Sequence, residues 1–281
     1  MKKIIIFLLL LSGIVLGQQV VNSAKTMPRD FLIEVAKGNI PGHSAVNKFG
    51  HNPSITTSTD PEDIWAGGGL YDFYPTTAQA MQVVSTSIED DTGGSGAITM
   101  IFYGLDSNWD AINETITLDG QDTVNLVNSY IRMFRAVALT AGSAGTNVGT
   151  ITVKQDGAGT DIAIVIAPTD GQTQQAIYTI PNNTTGYFIK GYVGISKGGG
   201  ATVYAAEFKW KARLNNGTSG AWATKGQMEC ITHGSNWWQY EYGVFGGGIP
   251  EKSDIRIECF EVTGTVGVVG GFDLLLVQDG Y

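Results

Sequence analysis

The three histidines, His43, His51 and His233, have the chemistry for metal ligation or proton transfer, but none falls in His-x-x-x-His spacing or beside a cysteine. His43 and His51 lie in a polar stretch and read as loop hydrogen-bonding groups. A hydrolase needs an activated serine, and Ser95 sits in Gly93-Gly94-Ser95-Gly96, a hairpin-turn sequence without the Gly-x-Ser-x-Gly elbow. The densest carboxylates are Glu89-Asp90-Asp91 and the pair Glu258 and Glu261. Glycoside hydrolysis needs two carboxyls facing each other ~5–10 Å apart. Glu258 and Glu261 are an odd number of residues apart, which puts them on opposite faces of a strand, and the acidic triplet reads as a solvated turn. Neither the triplet nor Asp156-Gly157 has the spacing of an EF-hand calcium loop. The glycine triplets at 67–69, 198–200 and 246–248 are not followed by Lys-Ser/Thr, so they read as turns or bulges. No catalytic residue, cofactor site or metal site is therefore expected. The strongest binding candidate is Trp237-Trp238-Gln239-Tyr240-Glu241-Tyr242. Exposed, Trp237, Trp238, Tyr240 and Tyr242 would stack on a sugar or dock a partner; the alternative is that both strand faces are buried between sheets.

Any elements that position these groups are β elements. The chain has 281 residues, enough for one or two domains of ~100–200 residues each. Its 38 glycines are close to double the usual ~7%, and its 15% charged residues fall well below the usual ~25%. With no long amphipathic periods, this composition points to all-β structure with tight turns. The net charge of −9 repels phosphate backbones, and Lys2-Lys3 is the one basic run, so neither nucleic acid nor, in the mature form, a membrane is an expected partner. Cys230 and Cys259 are not in metal-ligand spacing; they read as small buried hydrophobes, or as a disulfide if the chain is exported.

Residues 1–17 have a basic start, an apolar run and a Val15-Leu16-Gly17 end, a signal-peptide pattern that predicts export with cleavage before Gln18. Met27 offers a competing start, so 1–26 is read as leader-like with both outcomes open. Residues 30–38 fit a short helix with Asp30 as N-cap and Gly38 beyond its end, or a strand. From His43 to Phe73 the sequence is neither helix-periodic nor alternating. It strings Val46, Phe49, Ile64, Trp65, Leu70, Tyr71 and Phe73 on turn residues, as an extended arm would that lies along another surface. Val46, Phe49, Trp65, Tyr71 and Phe73 are its expected partner-docking side chains.

Short strands follow. Met81–Ser87, Ala97–Leu105 and Ile112–Leu118 lead to a hairpin signal at Asp119-Gly120 and a long bent strand over 123–138. A hairpin across Asp156-Gly157 ends this block, and Pro168-Thr169-Asp170-Gly171 suits a junction. In 202–214 Tyr204, Ala206, Phe208, Trp210, Ala212 and Leu214 alternate with Glu207, Lys209, Lys211 and Arg213, predicting a half-buried strand with one wet face. The fold class expected is all-β: two consecutive β-sandwiches of jelly-roll or immunoglobulin-like kind, over 60–169 and 170–281, preceded by an arm over 27–59.

Several stretches carry a family resemblance. They are Glu34 to His43, Val46-Asn47-Lys48-Phe49-Gly50-His51-Asn52, Glu62-Asp63-Ile64-Trp65 with Gly67-Gly68-Gly69, Gly104-Leu105-Asp106-Ser107-Asn108-Trp109-Asp110, Arg132-Met133-Phe134-Arg135-Ala136, Thr179-Ile180-Pro181, Pro250-Glu251-Lys252-Ser253-Asp254-Ile255 and Gly270-Gly271-Phe272-Asp273-Leu274. From about residue 31 onward the chain resembles a family common in tailed-phage and marine viral sequence sets, whose members look like virion structural proteins of head-decoration, fibre or tail kind. The resemblance implies a non-enzymatic virion protein of a tailed bacteriophage. Its partners would be other virion proteins and copies of itself, with a host-surface glycan as a further possibility. The rival reading, from the leader and the Trp237–Tyr242 aromatics, is an exported bacterial β-sandwich lectin or adhesin, located outside the cell.

Overall fold

The computed structural model of the chain describes residues 31–56, 60–157, 161–195, 203–214, 220–231, 235–239, 248–260 and 262–281, with backbone only at 235–239. The leader-like segment 1–26 lies outside the described residues. These residues fall in two compact units, one ending at Ser44 and one running from Ala45 to Tyr281. In the first, α1 (Phe31–Ala36) settles the helix-or-strand choice as a helix. Gly38 takes φ +75° and its N–H reaches the Val35 carbonyl, a helix stop that favours glycine. Glu34 accepts from Asn39 Nδ2 at 2.7 Å.

The second unit is all-β, as the composition predicts, and holds two sandwiches. Strands β3 (Gln79–Ser85), β4 (Ala97–Leu105), β5 (Ala111–Thr117), β6 (Val124–Tyr130), β7 (Arg132–Ala141), β8 (Ile151–Gln155) and β9 (Ile162–Ile166) build the first. Its sheets, β6-β3-β8-β9 and β5-β4-β7, face each other across Met81, Val83, Met100, Phe102, Ile151 and Ile164. The second uses β1 (His43–Ile55), β2 (Glu62–Asp63), β10 (Ile177–Thr179), β11 (Thr184–Ile195), β12 (Ala205–Arg213), β13 (Trp222–Ile231), β14 (Ser235–Gln239), β15 (Asp254–Phe260) and β16 (Val266–Gln278). Its sheets are β1-β16-β11-β14 and β10-β15-β12-β13, with β2 also on β15. Between them lie Phe208, Trp210, Ile255, Ile257, Phe272 and Leu274, together with the thiols Cys230 and Cys259. Burial pushes the Cys259 thiol up to about 12, so it stays protonated and behaves as a core hydrophobe.

The chain therefore enters the second sandwich with β1 and β2, leaves to build the first with β3 to β9, and returns through β10. We call the first the nested sandwich and the second the flanking sandwich. The stretch expected as an arm is, from Ala45 onward, an edge strand on β16, with Asn47 Nδ2 donating to Asp273 Oδ1 at 2.6 Å. Pro53 is tolerated because β1 is an edge. Gly50 permits a close crossing, since a Cβ there would stand 2.1 Å from the Ile64 carbonyl oxygen.

Two local expectations are corrected. The run 123–138 is not one bent strand: it breaks at Ile131, and β6 and β7 go to different sheets. Asp119-Gly120 is a turn, with Gly120 at φ +58°, but it carries the chain from one sheet to the other instead of closing a hairpin. The hairpin across Asp156-Gly157 joins β8 to β9 as expected.

Candidate functional site

Neighbouring residues on the linking segments serve different cores. Ile64 packs in the flanking core and Trp65 in the nested one; Tyr178 packs in the flanking core and Ile177 in the nested one. Successive strand side chains point to opposite faces, so these short strands sit between the sandwiches and feed both. Where β7 meets the outer face of the sheet holding β15 and β12, the filling is charged.

Asp254 is the centre of this seam and is fully buried. Its Oδ1 accepts from Arg132 Nε at 2.7 Å and from Thr179 Oγ1 at 2.8 Å; its Oδ2 accepts from Arg213 Nη2 at 2.8 Å and from Arg132 Nη2 at 3.1 Å. Arg132 also donates to the Pro75 and Ile131 carbonyls at 2.9 and 2.6 Å. Its guanidinium lies over the rings of Trp109 and Tyr74, 4.8 and 5.2 Å from their centroids. Arg213 covers Tyr74 and Trp222 at 4.4 and 4.9 Å, and Arg256 covers Trp222 at 4.1 Å. One residue pair further along β15, Glu258 binds Arg256 and accepts from Lys211 Nζ at 2.5 Å, and Arg256 Nη1 reaches Asp63 Oδ2 at 3.3 Å. The planar guanidinium supplies the paired bonds and the stacking, which an ammonium could not.

Among the described residues, seven ionisable groups thus meet in a largely buried layer, four cations against three acids. Asp63 is the least compensated. Burial raises its carboxyl to about 7, against the Arg256 charge and the Tyr71 N–H bond at 2.8 Å, which lower it. The consequence for stability has a definite sign. The unfolded carboxyl ionises near 3.8, so between there and about 7 the folded state binds more protons. The Asp63 contribution is then complete at low pH and lost as pH rises through that window. Chemical unfolding over roughly pH 4 to 7 should show the parent losing stability relative to Asp63→Asn as pH rises.

A second feature lies on β1 and β7. A cavity of about 240 Å³ is lined by Ala45, Val46, Asn47, Lys48, Tyr103, Phe134, Arg135 and Tyr178. Lys48 is 2% exposed, and its ammonium donates to the Phe134 carbonyl. Burial, with Arg135 nearby, holds its pKa well below the ordinary lysine range. Arg135 donates to the Asn47 carbonyl at 2.8 Å, and the rings of Phe134 and Tyr178 are 4.8 Å apart.

The residues singled out from the sequence are placed as follows. Trp65, Tyr71 and Phe73 are corrected as docking groups: they are 5%, 2% and 1% exposed, because the nested core of the same chain takes them up. Tyr71 is pinned there by its hydroxyl on the Met133 carbonyl at 3.2 Å. Val46 packs half-buried against the flanking core, and Phe49 is half-buried. The backbones of Trp237 and Trp238 pair with Tyr192 and Gly191 on β11; their side chains, and all of Tyr240 and Tyr242, lie outside the described residues. His43 Nδ1 is 2.8 Å from the Pro41 carbonyl, and His233 lies outside the described residues. The face of β12 expected to be wet is half-buried along its length, and its Lys211 and Arg213 end contributes to the seam. Asp90, expected in a solvated turn, is fully buried. Sequence reasoning passed over Arg132, Asp254 and Asp63. The signal that could have flagged them is that they fall within the short motifs carrying the family resemblance.

The sequence matches no protein-family model, and none of the curated proteins matches it. Among solved structures, the chain is similar to "Structure of infectious bursal disease virus Gt strain" at 11% identity and a TM-score of 0.24, over 90% of this chain and 75% of that one. It is also similar to "Crystal structure of infectious bursal disease virus VP2 subviral particle" at 10% identity and a TM-score of 0.16, over 91% and 74%. At such scores the likeness carries no argument about what this chain does. It is described from its own residues as a protein of two β-sandwiches joined through a buried charged seam.

Proposed function

We propose that this chain is a non-enzymatic structural protein of a tailed-phage virion, a capsid decoration, head fibre or tail component working through subunit contacts. The observation that carries the reading is the seam. Seven charged side chains gather in the layer between the two sandwiches, with the Arg132–Asp254 pair crossing from one to the other, and the acids there are paired with arginine and lysine instead of lining an open cleft. A part that must hold its shape within a shell or a tail needs such a rigid joint. The resemblance of the motifs at 46–52, 104–110, 132–136 and 250–255 to virion proteins supports the same reading, and the seam draws Trp109, Arg132 and Asp254 from three of them. Mass spectrometry of purified virions is the test. Peptides of this chain at a stoichiometry matching a capsid or tail part are expected, and virions lacking the chain would overturn the reading.

A further inference from the structure

The cavity on β1 and β7 differs from the seam in one respect. At the seam four cations face three acids; here Lys48 and Arg135 line one small space, and among the described residues neither is ion-paired. Each instead donates to a backbone carbonyl, Lys48 to Phe134 and Arg135 to Asn47, and such an acceptor neutralises no charge. An ammonium has three donors and a guanidinium five, so both retain N–H groups beyond these bonds. Lys48 is buried without a counter-charge and the half-exposed Arg135 stands beside it, so an anion entering the cavity would be drawn to both.

The rest of the lining restricts that anion. Tyr103 and Arg135 are directly opposite across β4 and β7, and Phe134 and Tyr178 add two more aromatic rings. Aromatic faces suit the C–H surface of a sugar ring, as they suit any flat apolar surface carrying polar edges. The volume lies below the ~300–1,000 Å³ of sites for drug-sized ligands, which fits a single ring. Exposed Ala45 and Asn47 are part of the lining, so the cavity opens to solvent.

We infer that this cavity binds an acidic monosaccharide, with Lys48 and Arg135 taking the carboxylate and Tyr103, Phe134 and Tyr178 holding the ring. The site is separate from the Trp237–Tyr242 aromatics and does not rest on the virion reading; either can fail alone.

Calorimetric titration of the full chain with glucuronate and N-acetylneuraminate, against glucose and acetate, tests it. At least one sugar acid should bind about tenfold or more tightly than both glucose, which lacks the charge, and acetate, which lacks the ring. Arg135→Gln should weaken that binding at least about tenfold while melting like the parent, and Lys48→Met should do the same. No binding of either sugar acid would overturn the inference, as would equal binding of glucose or acetate, or unchanged binding in Arg135→Gln. Should a variant fail to fold, the parent's preference for sugar acid over glucose and acetate still decides the matter.

Discussion

Replacing Arg132 by alanine is expected to destabilise the chain by about 3–5 kcal/mol, the range found when one partner of a buried ion pair is removed. Asp254 is wholly buried, and Arg132 supplies two of its four donors. Arg213 and Thr179 remain, but the buried carboxyl has lost its bidentate partner. The loss extends beyond charge. The guanidinium fills the space between the Tyr74 and Trp109 rings, and the Pro75 and Ile131 carbonyls lose their donor. Arg132→Lys restores the charge without the fork or the flat stacking surface, so it should recover only part of the loss. Urea unfolding of the full chain measures both. Because Arg132 is on β7 and Asp254 on β15, the alanine variant should also loosen the coupling of the two sandwiches, splitting one cooperative transition into two. A loss below about 1 kcal/mol would mean that the pair behaves as an exposed one and that the seam is not sealed.

That joint was only half legible in the sequence. The alternation in 202–214 correctly places Ala206, Phe208, Trp210 and Ala212 in a core. Period-two patterning also says that Lys211 and Arg213 point the other way, but not what waits there. Part of the cover comes from Tyr74, far off in sequence, and part from Trp222, the partner of Arg213 on the neighbouring strand β13, while Arg132 meets Asp254 across 122 residues of sequence. A single sequence carries no record of such long-range pairing. The docking segment was misjudged for a related reason. Ile64-Trp65 lacks a one-sided pattern because it feeds two cores, and a stretch apolar on both faces looks like one in search of another subunit. The division of 123–138 was hidden as well, because no glycine or proline marks the bend at Ile131. What was legible was what local rules govern: the helix stop at Gly38, the β8–β9 hairpin, and the all-β class.

Asp90 shows how far a local rule can mislead, and its replacement by alanine is the other large expected loss. A run of Glu89-Asp90-Asp91 before glycines has the composition of a solvated turn, yet the Asp90 side chain is buried and accepts four hydrogen bonds. Oδ1 takes the N–H groups of Ala97 and Val148 at 2.9 and 2.8 Å; Oδ2 takes the Gly149 N–H at 2.9 Å and the Ser85 hydroxyl at 2.5 Å. One carboxylate thus ties the end of β3 to the start of β4 and to the loop before β8, at one end of the nested sandwich. Alanine would leave three backbone N–H groups and a hydroxyl without their acceptor. Each unsatisfied buried group costs about 1–3 kcal/mol, so a total loss of about 4 kcal/mol or more is expected. Asparagine keeps one acceptor oxygen but turns an N–H₂ group toward two donors, so it should cost nearly as much. Hydrogen exchange separates this from damage to the seam. The amides of Ala97, Val148 and Gly149 should lose protection in Asp90→Ala while that of Ile257, bonded to the Ala176 carbonyl in the flanking sandwich, keeps it. If those three amides stay protected and the unfolding free energy moves by less than about 1 kcal/mol, the carboxylate is not their anchor and the acidic triplet is the solvated turn its composition suggests.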